Sequence, residues 1–398
     1  MKKFIYYPSF SVGEFCGFLK KDYKIKGEIP CRFYGDDFPR KYKHEAFLIT
    51  GGHHYKEPDF RNDIGISNDV LTLGDSGGYQ IASGAIKWEL STRETIFNWL
   101  ENNSDIAVNL DIPPRMTYDG RYQECLDISR GNFKYFADHQ SGRTKFLNVI
   151  HGVDFESYKN WYSHVNDFSF NGWCIGGASG SLYRFMSALV VLLSGKEHLK
   201  TNNEYLHILG ASKIIDFMML LKLQKSLEDI GSKIIVSTDS SSPCLMTAFG
   251  RFVSDFNVKK QVFETINFPN EKHNKDIIGE FKTINHTTWP IVTGFDNLLN
   301  NVISWRDVVE WNHDCRASMV LHNFMVFKKI VDVVENYIYG HDFILKQVMD
   351  NNTFLLLQSI DQMVRSDDPA TIFEKYKPLY MKLSNIHKPF VIKENKFF

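Results

Sequence analysis

Seven short apolar runs separated by stretches of helical period constrain this chain more than any other feature. The runs are AFLIT (46–50), VLTLGD (70–75), IAVNLD (106–111), FLNVIHG (146–152), GWCIGG (172–177), EYLHILG (204–210) and KIIVSTD (233–239). Near-continuous apolar segments of this length suit strands buried on both faces, and intervening helices supply the crossovers that parallel strands need. Helices are expected over 92–103, 122–140, 155–166, 181–194 and 213–230, the last stopped by Gly231. An eighth strand is expected near QVFETINF (261–268). The pattern predicts an α/β fold, a (β/α)8 TIM-type barrel in preference to a doubly wound open sheet. Beyond about 285 the texture turns helical, most clearly from Val302 to Trp311 and from Ala317 to Tyr339. The expected organisation is a catalytic barrel over 1–285 and a mainly helical region over 286–398 that completes and flanks it.

Composition narrows the partners. At 43% hydrophobic and 23% charged, the 398 residues can bury a large core, and a formal net charge of -1 excludes attraction to phosphate by bulk charge. A nucleic-acid surface would have to be local. Six cysteines without a C-x-x-C pair argue against a disulfide framework or a sequence-local zinc ribbon, and a reducing cytoplasm is the simplest setting. Pro8 interrupts the basic, briefly apolar N-terminus before a signal-peptide core is complete. The longest strongly apolar stretch, 185–193, is far short of the ~20 residues a membrane-spanning helix needs, so no membrane partner is expected.

Unusual residues recur where the expected strands end: Asp75, Asp111, His151, Gly177, Gly210 and Asp239. In a barrel those ends converge on one mouth, where such folds place their chemistry. Any one of these aspartates alone would more often cap the following helix; their recurrence is the signal. Asp75 opens DSGGYQ, whose glycines permit a sharp turn and close approach, while Tyr79 offers a ring for stacking on a flat ligand. Asp239 opens DSSSPC, with a helix able to start at Pro243. Two carboxylates facing each other across a mouth suit a retaining displacement at a sugar carbon, one attacking C1′ and the other moving the proton, at a separation of roughly 5 Å. Asp111 in LDIPP could accept N–H bonds from a purine edge, and His151 in VIHG adds a donor.

With these motifs the chain resembles the queuine/archaeosine tRNA-guanine transglycosylase superfamily. DSGGYQ, LDIPP, VIHG, CIGGASG, HILGAS and STDSSSP follow one another in the family's order over about 45–250, with a weaker echo in LHNFMVF (321–327). The resemblance implies a (β/α) barrel that exchanges guanine for a 7-deazaguanine through a covalent glycosyl-enzyme. It implies Asp239 as nucleophile, Asp75 as general acid/base, and Asp111, His151, Gly177 and Gly210 as base-recognition groups. Tyr79 and Leu209 would sandwich the purine, and Ser76 would position the base or the catalytic carboxylate. No cofactor is implied beyond a structural zinc.

Two departures bear on the substrate. The tRNA enzymes hold zinc through a C-x-C-x-x-C cluster and a histidine in a stretch like LHN, but TTWPIV (287–292) stands at the expected position of the cluster and contains no cysteine. His322 matches the histidine, and His313, Cys315 and His322 form a chemically competent mixed set; the reading nevertheless favours no metal. The tRNA enzymes also follow their nucleophile with Pro-Thr-Arg, whereas DSSSPCLMTAFGRF is similar to the DpdA-type 7-deazaguanine DNA transglycosylases of phages and genomic islands. The resemblance therefore favours guanine exchange in DNA, with free 7-cyano-7-deazaguanine as a candidate incoming base. Exchange in tRNA by a zinc-free relative is the alternative, followed by a non-catalytic nucleic-acid-binding subunit. Arg251, Lys259 and Lys260 are candidates for contacts to the polymer backbone. A helper protein that opens a duplex has no signature in the sequence.

Overall fold

A computed structural model describes residues 4–10, 13–114, 121–178, 180–267 and 312–386. Eight parallel strands form one nearly closed barrel: β1 (Ile5–Pro8), β2 (Ala46–Thr50), β3 (Leu71–Asp75), β4 (Ile106–Val108), β5 (Lys145–Ile150), β6 (Gly172–Ile175), β7 (Tyr205–Ile208) and β8 (Ile235–Ser240). Each of the seven apolar runs overlaps one of these strands. The bounds differ by at most three residues at either end.

The eighth strand is not where the sequence placed it. Ile5–Pro8 pairs in parallel with β8, and a bridge between Ser9 and Leu48 links it to β2. The segment around QVFETINF does form a strand, β10 (Val262–Asn267), but it pairs antiparallel with β9 (Arg251–Asn257) in a separate two-stranded sheet. The reason lies in the pattern. VFETIN carries Glu264, Thr265 and Asn267 among its six residues, and Val262, Glu264 and Thr265 are exposed, which suits a hairpin with a wet face rather than a strand buried on both faces. Ile5–Pro8 is short and follows two lysines, so it carries little signal of its own.

Crossover helices surround the strands: α1 (Gly78–Ala82), α2 (Leu90–Asn103), α3 (Tyr122–His139), α4 (Phe155–Val165), α5 (Leu182–Ser194), α6 (Ile214–Asp229) and α7 (Ser242–Ala248). Asp154 caps α4 by accepting from the Ser157 N–H, and Gly231, at φ +78°, follows α6 in the left-handed region that favours glycine. Further along the chain come α8 (His313–Tyr339), α9 (Asn351–Arg365) and α10 (Pro369–Ile386). α8 and α9 pack on α6, and α10 packs on α5, so the C-terminal helices form a partial outer layer on one side of the barrel. The expected Val302–Trp311 helix lies outside the described residues, as does TTWPIV. Among the described residues no helix is long and apolar enough to cross a membrane.

Strand register fixes what points inward. Ile5, Ser237, His207, Cys174 and Val149 are successive partners across β1, β8, β7, β6 and β5, and so share one face of the sheet. Two residues further along, Tyr7 stands beside Asp239 on that face. Tyr7 is 1% exposed and packs edge-on against His207, with ring centroids 5.9 Å apart. If β1 closes the barrel, Tyr7→Ala should cost about 3–5 kcal/mol, the scale for truncating a buried aromatic. Urea denaturation monitored by circular dichroism measures this; a loss below about 1 kcal/mol would mean that β1 is dispensable.

Candidate active site

Asp75, Asp111 and Asp239 come to the same barrel mouth from β3, the end of β4 and β8. The Cys174 thiol, on the inward face of β6, senses all three: burial pushes it well up, and the charges of Asp111, Asp239 and Asp75 push it further. Three carboxylates around one buried point repel one another, so their surroundings decide which of them holds a proton.

Asp75 is held at both oxygens. Thr50, its ladder partner on β2, donates its hydroxyl to Oδ2 at 3.1 Å, and the Gly77 N–H donates to Oδ1 at 3.2 Å. Burial nevertheless raises its pKa to about 6, against those two hydrogen bonds and with the charges of Asp111 and Asp239 adding to the rise. A carboxyl titrating there can both give and take a proton near neutral pH. The glycines of DSGGYQ are needed for close approach to neighbouring backbone: a Cβ on Gly77 would lie 2.2 Å from the Gly52 Cα, and one on Gly78 1.9 Å from the Asp111 carbonyl oxygen. Gly77 also has φ +82°.

Asp239 is held differently. Its Oδ1 accepts from the Gly210 N–H at 2.7 Å and lies 3.3 Å from His207 Nε2. Its Oδ2 has no hydrogen bond among the described residues. The turn that presents Gly210, itself at φ +68°, is tied down by Thr238, whose hydroxyl donates to the carbonyls of Ile208 and Ala211 at 2.8 Å each. Pro243 lies in the first turn of α7, as its position in DSSSPC suggests, and Asp239 remains outside that helix within β8.

Asp111 and His151 form a buried pair, with the imidazole Nε2 donating to Asp111 Oδ2. Asp111 Oδ1 has no hydrogen-bond partner among the described residues. The His151 ring packs edge-on against Trp161, and Gly176 makes room for it, since a Cβ there would lie 2.1 Å from the ring's Cε1. Gly177 follows, exposed and at φ +72°. From the helical layer, Asn132 donates to the Leu110 carbonyl at 3.0 Å and the Ser129 hydroxyl accepts from the Ile112 N–H at 2.8 Å, fixing the LDIPP backbone.

The remaining expected residues divide. Tyr79 stands on the rim, 72% exposed, and Leu209 is half-buried beside Gly210. Ser76 is wholly buried and donates to the Asn109 carbonyl at 3.0 Å, joining the ends of β3 and β4. Arg251 is exposed just beyond α7. Lys259 and Lys260 are exposed at the far turn of the hairpin, next to Gln261, which donates to Thr353 of α9. Seven residues of strand span roughly 20 Å, so the hairpin separates the two lysines from Arg251. Thr50, His207 and Ser237 were not anticipated. The signal for the last two was alternation, since each lies two residues before a residue already placed at the mouth, Leu209 and Asp239.

The mixed zinc set does not assemble. The His313 imidazole faces Glu14, the Cys315 thiol lies 3.9 Å from the Met319 sulfur, and His322 is buried with Nε2 2.7 Å from the Val253 carbonyl oxygen. Burial also pushes the Cys315 thiol up to about 12, away from the thiolate that zinc requires. Among the described residues no three His, Cys, Asp or Glu side chains are grouped to hold a metal. These residues therefore do not fit the zinc that the resemblance implies.

No protein-family model and no curated protein matches the chain.

The raised Asp75 pKa gives a signed prediction. A carboxyl whose folded pKa lies above its unfolded value stabilises the protein below the unfolded pKa and loses that contribution as pH rises through the folded one. Between pH 4 and pH 7 Asp75→Asn should therefore gain stability relative to wild type, by on the order of 2 kcal/mol. Urea denaturation of both proteins at the two pH values measures the difference; a constant gap would show that Asp75 titrates normally.

Proposed function

We propose that this protein is a DNA-guanine transglycosylase that exchanges guanine for a 7-deazaguanine through a covalent glycosyl-enzyme. The contrast between two carboxylates in one mouth carries this reading. Asp75 has both oxygens hydrogen-bonded and a pKa of about 6, which suits proton transfer. Asp239 has one oxygen anchored and the other unengaged among the described residues, which suits nucleophilic attack.

In the proposed reaction a guanine leaves the stack and enters the mouth, at a cost of a few kcal/mol offset by stacking and edge hydrogen bonds. Asp239 Oδ2 attacks C1′ as the C1′–N9 bond breaks, and the departing base takes a proton from Asp75. The incoming 7-deazaguanine then attacks C1′ through N9, loses its N9 proton to Asp75 and displaces Asp239. Bonds and protons balance without redox chemistry. Asp111 Oδ1 is available to accept N–H bonds from the purine edge while His151 holds Oδ2. Tyr79 is the stacking platform at the rim, and Arg251 is the basic residue best placed for a phosphate.

The preference for DNA over tRNA rests on DSSSP after the nucleophile and on a set of residues unsuited to the zinc of the tRNA enzymes. The test is to incubate the protein with labelled 7-cyano-7-deazaguanine and either DNA or tRNA, and then digest to nucleosides. Label is expected in deoxyribonucleosides; label confined to ribonucleosides would replace DNA by tRNA, and label in neither polymer would count against exchange of this base. Asp239→Asn should abolish a denaturation-resistant protein–nucleic acid adduct seen with wild type, and Asp75→Asn should slow base release. An Asp239→Asn protein that exchanges at the normal rate would remove the nucleophile assignment.

A further inference from the structure

We propose that His207 is a positioning residue for Asp239, kept in its donating tautomer by Ser237, so that the attacking oxygen is chosen before substrate arrives. The inference deepens the transglycosylase reading and rests on it. His207 is wholly buried inside the barrel, an unusual place for an imidazole, because a barrel interior is normally filled by branched aliphatic side chains. Its two nitrogens have different neighbours: Nδ1 lies 2.9 Å from Ser237 Oγ, and Nε2 lies 3.3 Å from Asp239 Oδ1.

The chemistry of these neighbours fixes the protons. An ionised carboxylate only accepts, so Nε2 must carry a hydrogen to be stable beside it. In a neutral ring Nδ1 is then an acceptor, and the Ser237 hydroxyl, which can donate, satisfies it. The chain of donors runs from Ser237 to His207 to Asp239 Oδ1. The Gly210 N–H reaches the same oxygen at 2.7 Å. Both donors thus converge on Oδ1, so the carboxylate cannot rotate without losing two hydrogen bonds, and Oδ2 is left without a hydrogen bond among the described residues.

Register makes this arrangement a property of the barrel. Ser237 and His207 are direct partners across β8 and β7, and Asp239 is two residues further along the same inward face. The other titratable groups against His207 are Tyr7 on β1, whose ring meets it edge-on, and Cys174 on β6, its ladder partner. Burial pushes both the phenol and the thiol well up, which keeps them neutral and leaves Asp239 as the charge His207 faces.

The experiment uses the full chain. Nitrogen-15 NMR of histidine-labelled protein, with His207 assigned by its disappearance in His207→Gln, should show the neutral Nε2–H tautomer in wild type and a mixture in Ser237→Ala. A wild-type Nδ1–H tautomer would overturn the inference whatever the activity. In single-turnover adduct formation with a guanine-containing DNA oligonucleotide, His207→Phe should be at least tenfold slower than wild type with an unchanged half-saturating DNA concentration. His207→Gln, which retains an N–H donor, should recover most of the rate. Ser237→Ala, which removes one oxygen and leaves the ring in place, should show a smaller loss and a shifted pH–rate profile; it serves as the second variant if the phenylalanine does not fold. Equal rates in wild type, His207→Phe and Ser237→Ala would overturn the positioning role. If wild type forms no adduct with DNA or tRNA, the transglycosylase reading fails and the positioning role fails with it, whereas a normal adduct with the wrong tautomer removes the inference alone.

Discussion

Mutual repulsion among three carboxylates confined to one barrel mouth is the constraint that the rest of the site answers. Burying one unpaired carboxylate is costly, and three would be untenable without compensation. Each has received a different one. Asp111 is paired with His151, Asp239 is fixed through one oxygen by backbone and imidazole donors, and Asp75 accepts two hydrogen bonds yet still shifts towards its protonated form. Differences in partner have turned three identical side chains into groups of distinct chemistry, which is how a single fold can carry acid, base and nucleophile together.

Much of this was legible in the sequence because a buried parallel strand has little freedom of composition. AFLIT and KIIVSTD can hardly be anything else, and their terminal polar residues identify the mouth. The first strand was not legible, since Ile5–Pro8 is too short to show a pattern and gains its place from pairing across more than two hundred residues with Ile235–Ser240. The hairpin was mistaken for a barrel strand because QVFETINF was read as a strand without asking how many of its faces are dry. Ser76, expected to position the base or the catalytic carboxylate, is buried between strand ends, where it donates to the Asn109 carbonyl, one position out of phase with Asp75. His207 and Ser237 were hidden for the opposite reason: they lie in phase with the mouth but inside strands, where attention goes to the last residue.

The LHN stretch ties the C-terminal helices to the end of the barrel. Asn323 accepts from the Val253 N–H at 2.9 Å and donates to the carbonyls of Pro243 and Arg251 and to the Thr247 hydroxyl. With His322 beside the Val253 carbonyl, α8 grips the segment that leaves β8. Buried polar groups with this many partners make a specific clamp, because an orphaned member would cost about 1–3 kcal/mol. The path of the chain away from Asp239 is therefore set by side-chain hydrogen bonds from the C-terminal helices.

Closure of the barrel by its most N-terminal strand also orders events in time. During synthesis Ile5–Pro8 emerges first, but its principal partner, Ile235–Ser240, is made more than two hundred residues later. Contacts of such long sequence separation form late and slowly. The nascent barrel therefore passes through a stage with two open edges, at Ala46–Thr50 and at the latest strand to appear, and both could template pairing with another chain. Asp239 lies in that last strand, so the mouth with its three carboxylates is completed in the same step that removes the edges.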